Sequence, residues 1–155
     1  MPIPDFVVEL RRHLGTARLW LPGVTAVVRR GDEVLLVRRA DNDEWAPVTG
    51  ILDPGEEPAA GAVRETREET GTQVRVDRLA AISSGLEVTH VNGDLAVYLD
   101  HTFACTWLAG EAHVADDESV DVRWWPLDAL PAMKPVLLGR IDAAVSDETA
   151  ARFTG

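Results

Sequence analysis

The stretch from Gly50 to Thr72, GILDPGEEPAAGAVRETREETGT, constrains the chain more than any other part of it. Pro47, Gly50, Pro54 and Gly55 read as a loop over residues 47–57. Pro58 suits a first helical turn and Gly71 an exit, so the spacing predicts a helix from Pro58 to about Thr70. Residues three and four apart share a helical face, which groups Glu65, Glu68 and Glu69 on one side. Ala59, Ala62, Val63, Thr66 and Thr70 form the other side, small and mostly apolar, suited to packing under a sheet. Arg64 and Arg67 only partly offset the repulsion among the carboxylates, so this face is built for something cationic.

The remaining pattern supplies the sheet. Val24–Arg29 and Val34–Arg38 are β-rich runs around Arg30-Gly31-Asp32-Glu33, which reads as a hairpin. Gln73–Ile82 and Leu95–Leu108 read as strands. In the second, Leu95, Val97, Leu99, Phe103, Cys105 and Trp107 alternate with Ala96, Tyr98, Asp100 and Thr102. Val120, Val122 and Trp124 alternate with Asp121, Arg123 and Trp125 in a further strand. Residues 5–14 form a short amphipathic helix with Phe6, Leu10 and Leu14 on one face, and Val136–Val145 closes the chain as a helix. Helices and strands intersperse without a βαβ rhythm, so the expected fold is α/β, a mixed sheet covered by helices on both faces.

Charge narrows the function. The net charge of −11 repels nucleic-acid polymers and anionic membranes, which excludes both as expected partners. Phosphate-bearing small molecules are repelled too unless positive charge is supplied locally, and clustered carboxylates supply it by holding a hard cation such as Mg²⁺. Without a Cβ, Gly50 lets its carbonyl approach such an ion. A single cysteine, Cys105, permits no internal disulfide; with no apolar run of about 20 residues and no basic-then-apolar start, a cytoplasmic location is expected.

Written as Gly-x5-Glu-x7-Arg-Glu-x-x-Glu-Glu-x-Gly, the pattern is met by Gly50, Glu56, Arg64, Glu65, Glu68, Glu69 and Gly71. At a frequency of roughly 5–10% per residue type, seven coincidences fall near ~10⁻⁸ by chance. This segment resembles the signature box of the Nudix hydrolases. The preceding hairpin, the Trp45-Ala46-Pro47 approach and the Trp124 strand follow in that family's order. The resemblance implies an α/β/α sandwich with the box helix packed on a mixed sheet. It divides the chain into an N-terminal helix and lead-in (1–20), a Nudix hydrolase domain (21–147) and a C-terminal tail (148–155). Thr66 and Thr72 stand where aliphatic residues are usual, and Thr49 where a second glycine is common. The two box threonines are expected to loosen packing slightly and leave metal chemistry intact.

Carried over residue by residue, the resemblance implies that Glu68 and Glu69 bind metal, that Glu65 binds metal or acts as base on water, and that the Gly50 carbonyl is a further ligand. Glu56 would tie the loop to the helix, Arg64 would orient the carboxylates, and Gly71 would end the helix. Glu118, in the acidic run Asp116-Asp117-Glu118 six residues before Trp124, is a further metal candidate or part of a solvated turn. The cofactor implied is Mg²⁺, with Mn²⁺ as substitute. Arg38 and Arg39 end a strand leading toward the site, where one would hold a phosphate or both would be surface charges. Trp45 is read as a stacking partner for a base or as a hydrophobic anchor. Tyr98 and Asp100 would meet substrate or cover the sheet edge. His101 is read as a hydrogen-bonded core residue and Cys105 as an inert core thiol. The function implied is a Nudix-type pyrophosphohydrolase acting on a nucleoside triphosphate, ADP-ribose or a nucleotide sugar; the alternative is a non-catalytic nucleotide-sensing module. The partner is a small nucleotide-like molecule. Family members are often dimers, and the sequence leaves the oligomeric state open.

Overall fold

The computed structural model describes residues 3–85 and 87–154. Among them, α1 (Asp5–Leu14) is followed by β1 (Leu19–Arg30), β2 (Glu33–Arg39), β3 (Trp45–Ala46) and β4 (Val48–Ile51). Then come α2 (Pro58–Thr70), β5 (Gln73–Ser84), β6 (Val88–Thr89), β7 (Leu95–Ala109), β8 (Ser119–Pro126) and α3 (Pro135–Val145). The strands form one mixed sheet in the order β3-β2-β1-β7-β5, with β4 beside β1, β6 beside β7 and β8 beside β2. β1 and β7 run parallel in register from Leu19↔Ala96 to Arg29↔Thr106, and the other pairings are antiparallel. Both faces of the sheet are covered, which is why Val34–Val37 is an unbroken apolar run rather than an alternating one.

Each face has its own core. Val24, Ala26, Val28, Leu35, Val37 and Phe103 pack toward Ala62 of α2. Val27, Val34, Leu36 and Ala104 pack toward Ile141, Ala143 and Ala144 of α3. The two helices thus sandwich the sheet, as the Nudix resemblance implies. Cys105 is buried in the α2-side core, and burial pushes its thiol up to about 12, so it is inert. His101 donates from Nδ1 to the Gly23 carbonyl at 3.0 Å, a hydrogen-bonded residue of the sheet.

Two expectations need correction. Residues 47–57 are not all loop, because Val48–Ile51 pairs with β1 from Ala26↔Val48 to Gly23↔Ile51. The flanking Pro47 and the interior Gly50 hide this strand, and Gly50 is there because a helix side chain comes close. Helix α1 spans the expected residues but buries Val7, with Phe6 half-buried, while Leu10 and Leu14 are exposed. Val7 packs on Leu19, Leu21 and Ala96. One turn on, Arg11 bonds the Leu95 carbonyl (2.8 Å) and pairs with Asp94 (3.3 Å), so the line 7–11 faces the sheet instead of 6–10–14. The two-residue strand β6 is too short to show in the sequence pattern. The tail folds back on the sheet edge: Arg152 N–H donates to the Ala80 carbonyl, and its side chain pairs with Asp142 and Glu148.

Candidate active site

Helix α2 begins with Pro58 in its first turn and ends on Gly71, whose φ of 69° is the left-handed conformation that suits a glycine cap. Its buried residues include Ala62, Thr66 and Thr70, with Glu65 and Glu69 beside them. The threonine hydroxyls are absorbed by the helix itself. Thr66 Oγ1 donates to the Ala62 carbonyl at 2.7 Å and Thr70 Oγ1 to the Thr66 carbonyl at 2.6 Å, leaving their methyls for the core. Thr70 and Thr72 hydroxyls meet at 2.7 Å.

Arg64 organises the acidic residues. Its Nε and Nη2 form a bidentate pair with Glu56, both at 2.7 Å, and Nη1 donates to Glu65 (2.9 Å) and Glu68 (3.2 Å). Nη2 also donates to the Ile51 carbonyl, and Glu56 accepts from the Asp53 N–H at 3.1 Å. One guanidinium therefore fastens the loop, strand β4 and the helix together. The Glu56 pair is the main reason that the Arg64 charge is held more firmly than usual, and the same pair keeps Glu56 below the ordinary carboxylate range.

Glu65 is 1% exposed and Glu69 2%, whereas the Glu68 side chain lies at the rim, 42% exposed. Burial pushes the Glu65 carboxyl up to about 7 against the opposing pull of Arg64. Burial, reinforced by Glu118, Glu65 and Asp116, pushes Glu69 up to about 9. Glu65 Oε2 and Glu69 Oε1 are buried without a hydrogen-bond partner. Gly50 faces Glu65 so closely that a Cβ there would run into the carboxylate, which gives this glycine a steric reason beyond the reach of its carbonyl.

The loop after β7 completes the cluster. It lies along the end of α2, where His113 N–H donates to the Thr70 carbonyl and Ala115 N–H to the Glu69 carbonyl, both at 3.1 Å. That register brings Glu118 next to Glu65 and Glu69, and the Glu118 carbonyl accepts from Ala40 N–H at 2.7 Å. The charge of Arg39 acts with those of Glu69 and Glu118. Its guanidinium makes a bidentate pair with Asp41 (2.9 and 3.0 Å) and reaches the Thr49 hydroxyl at 3.5 Å, so the threonine in the second-glycine position serves the arginine.

Two sequence candidates sit elsewhere. Arg38 stands opposite Trp45 in the neighbouring strand and lies 3.4 Å from Asp43. Trp45 is half-buried in the α3-side core, edge-on to Trp125 at 5.2 Å, which is the position of an anchor and not of a free stacking surface. Sequence reasoning gave no role to Arg140. It crosses from α3 to donate to Thr25 Oγ1 (3.0 Å) and pairs with the buried Asp100 (3.3 Å). The signal for such a partner was the polar residues Asp100 and Thr102 on a strand face that otherwise packs apolar.

Among the described residues no three His, Cys, Asp or Glu side chains close into a preformed metal cage. The residues nonetheless fit a hard cation: two buried carboxylate oxygens lack partners, both carboxyls resist ionising, and all the donors are oxygen. Residues 19–145 match the NUDIX domain family. The chain belongs to that family. It is 35% identical over 114 residues to the NAD-capped RNA hydrolase NudC of Pseudomonas aeruginosa, an alignment covering 72% of this chain and 38% of that one. The chain therefore spans well under half the length of this curated relative. Among solved structures, a UDP-X diphosphatase shares the fold at a TM-score of 0.66 and 24% identity, covering 90% of this chain and 68% of that one. An ADP-ribose pyrophosphatase from Streptococcus suis shares it at 0.62 and 23%, covering 86% and 98%. Among the described residues, no helix is long and apolar enough to cross a membrane.

Proposed function

We propose that this NUDIX chain is a divalent-metal-dependent pyrophosphohydrolase, splitting the phosphate–phosphate bond of a nucleoside diphosphate linked to another group. The observation that carries this reading is the pair of buried, unpartnered carboxylate oxygens on Glu65 and Glu69, held beside Gly50 and Glu118. Buried charge without compensation is unfavourable, and a fold keeps such groups where a ligand completes them. Glu65, Glu68, Glu69, Glu118 and the Gly50 carbonyl would hold Mg²⁺, or Mn²⁺ in its place. The bound ion supplies neutralisation of the diphosphate and acidification of an attacking water.

The chain's own groups supply the rest. Arg64 keeps Glu56, Glu65 and Glu68 in one geometry, so the carboxylates need no rearrangement when substrate arrives. Glu65 or Glu69 would take the proton from water as its oxygen bonds to phosphorus, and the bridging oxygen leaves with the second phosphate. Arg39, already beside Glu69 and Glu118, would bind a diphosphate oxygen by exchanging part of its pairing with Asp41. The names of the similar proteins point the same way, since NAD caps, UDP-X and ADP-ribose all contain a diphosphate bridging two groups. The charge of −11 favours a small molecule over an RNA chain. A nucleotide-sensing module without catalysis is disfavoured by the intact set Glu65, Glu68 and Glu69.

The test is product release from nucleoside triphosphates, ADP-ribose, nucleotide sugars and dinucleotides, with and without Mg²⁺ or Mn²⁺. Metal-dependent turnover of one class is expected. Measurable Mg²⁺ binding with no turnover of any class would favour the sensing module, and no metal binding near millimolar would remove the site reading altogether.

A further inference from the structure

Burial pushes the Tyr98 hydroxyl up, with the Arg39 and Arg11 charges pulling the other way. Tyr98 lies on β7, and its ring rests beside Gly23 of β1. A Cβ on Gly23 would sit 3.5 Å from Tyr98 Cβ and Cδ1 and 3.6 Å from the Gly50 carbonyl. Gly23 thus leaves room for about one methyl group between the ring and the loop that carries the metal candidates. The Tyr98 hydroxyl is bonded to His90 Nε2 at 2.9 Å, with the two rings edge to face. His90 is held in turn by a tight turn, its N–H donating to Asp94 and its carbonyl accepting from Gly93. Gly50, Gly23, Tyr98 and His90 therefore follow one another away from the carboxylates.

A diphosphate bound at the carboxylates and Arg39 can send one of its two substituents past Gly50 and Gly23 toward this ring. A tyrosine ring braced by an imidazole offers that substituent an aromatic surface with polar tips, which suits a nucleoside better than a bare phosphate. We propose that Tyr98, positioned by His90 and made accessible by Gly23, is the binding residue for the nucleoside half of the substrate and sets its specificity. The inference rests on the pyrophosphohydrolase reading above. It assigns the base-contacting role to a strand residue across the sheet instead of to Trp45.

Binding of ADP and of inorganic pyrophosphate, each with Mn²⁺, tests it by calorimetry on wild type, Tyr98→Leu, Gly23→Ala and His90→Ala. Losing an aromatic contact to a base weakens binding by about tenfold or more. Tyr98→Leu is therefore expected to weaken ADP by about that factor and leave pyrophosphate within about twofold. His90→Ala should show a smaller loss of the same selectivity. Gly23→Ala adds a methyl at ordinary contact distance, so it should fold even if Tyr98→Leu does not, and it should also weaken ADP selectively. Folded Tyr98→Leu and Gly23→Ala proteins that bind both probes as wild type does, or lose both equally, would overturn the assignment. Wild-type protein that bound neither probe and turned over no substrate would sink the pyrophosphohydrolase reading itself, and this inference with it.

Discussion

The two faces of the sheet bury acidic groups on opposite terms. On the α3 side, Asp100 is 3% exposed and fully engaged: Thr25 and Thr102 each donate at 2.7 Å, and Arg140 lies 3.3 Å away. On the α2 side, Glu65 and Glu69 are as deeply buried, yet each keeps an oxygen without a partner. The compensated carboxylate pins a helix to a sheet. The other two, although Arg64 holds one oxygen of Glu65, each leave an oxygen that something outside the chain would complete. Burial alone does not distinguish these carboxylates; what differs between them is how fully their oxygens are paired.

The largest effects should come from removing one acid on each side. Glu69→Gln is expected to lower turnover by roughly a thousandfold, since it takes away a charge that would hold the metal. Its thermal midpoint without metal should equal or exceed that of wild type as pH rises toward about 9, because Glu69 is no longer there to ionise in a buried site. Asp100→Ala is the converse. It strands Arg140 among Thr25 and the apolar floor under α3, and breaking a buried pair from one side costs about 3–5 kcal/mol. Denaturant unfolding of both variants, with kcat measured on the folded fraction, checks the contrast. If Glu69→Gln unfolded as readily as Asp100→Ala, the distinction between the two faces would fail.

A second consequence concerns pH. In the unfolded chain both site glutamates titrate near the ordinary glutamate value of 4.5, whereas burial in the fold pushes them up to about 7 and about 9. Folded protein therefore holds protons that the unfolded chain has released, so stability from these groups is complete below about 4.5 and declines as pH rises through 7 and then 9. Metal-free protein is expected to melt lower at pH 9 than at pH 6, with saturating Mg²⁺ closing most of the gap. The Glu69→Gln profile should lose the upper part of the slope. Parallel melting curves for variant and wild type across this range would show that the uncompensated charge is not where the structure puts it.

How much of this was legible in the sequence depends on how local each feature is. The carboxylate face of α2 and the Gly71 cap follow from spacing within a short segment, where helical periodicity settles who meets whom, whereas the roles of Glu56 and Arg64 came from the family resemblance. Placing Glu118 beside Glu69 needed the family's strand order, because no local pattern shows that the 110–118 loop caps the end of α2. Trp45 could not be assigned from sequence, since an aromatic before a loop serves equally as platform or anchor until Trp125 appears beside it. The Asp100–Arg140 and Tyr98–Gly23 contacts depend on the parallel register of β1 with β7, which the alternation within either strand does not contain. Strand β4 was hidden for a related reason: Gly50, unfavourable in an isolated strand, is required there by Glu65 across the layer.

The smallest effect sharpens the comparison within a single helix turn. Thr66 is fully buried on α2 next to Glu65, yet unlike Glu65 it is satisfied, its hydroxyl bonding back to the Ala62 carbonyl four residues earlier. That carbonyl is also in the helix ladder, so the hydroxyl adds little, and back-bonding of this kind slightly opposes straight helix. Thr66→Val keeps the branched shape and the methyl that faces the core while removing the back-bond. Stability is expected to shift by less than about 1 kcal/mol and activity to stay within about twofold, measured by thermal melting and by kcat with Mg²⁺. A large loss of activity in a stably folded Thr66→Val protein would mean that the hydroxyl helps to place Glu65, and that the boundary between satisfied and unsatisfied groups on α2 is less sharp than the geometry implies.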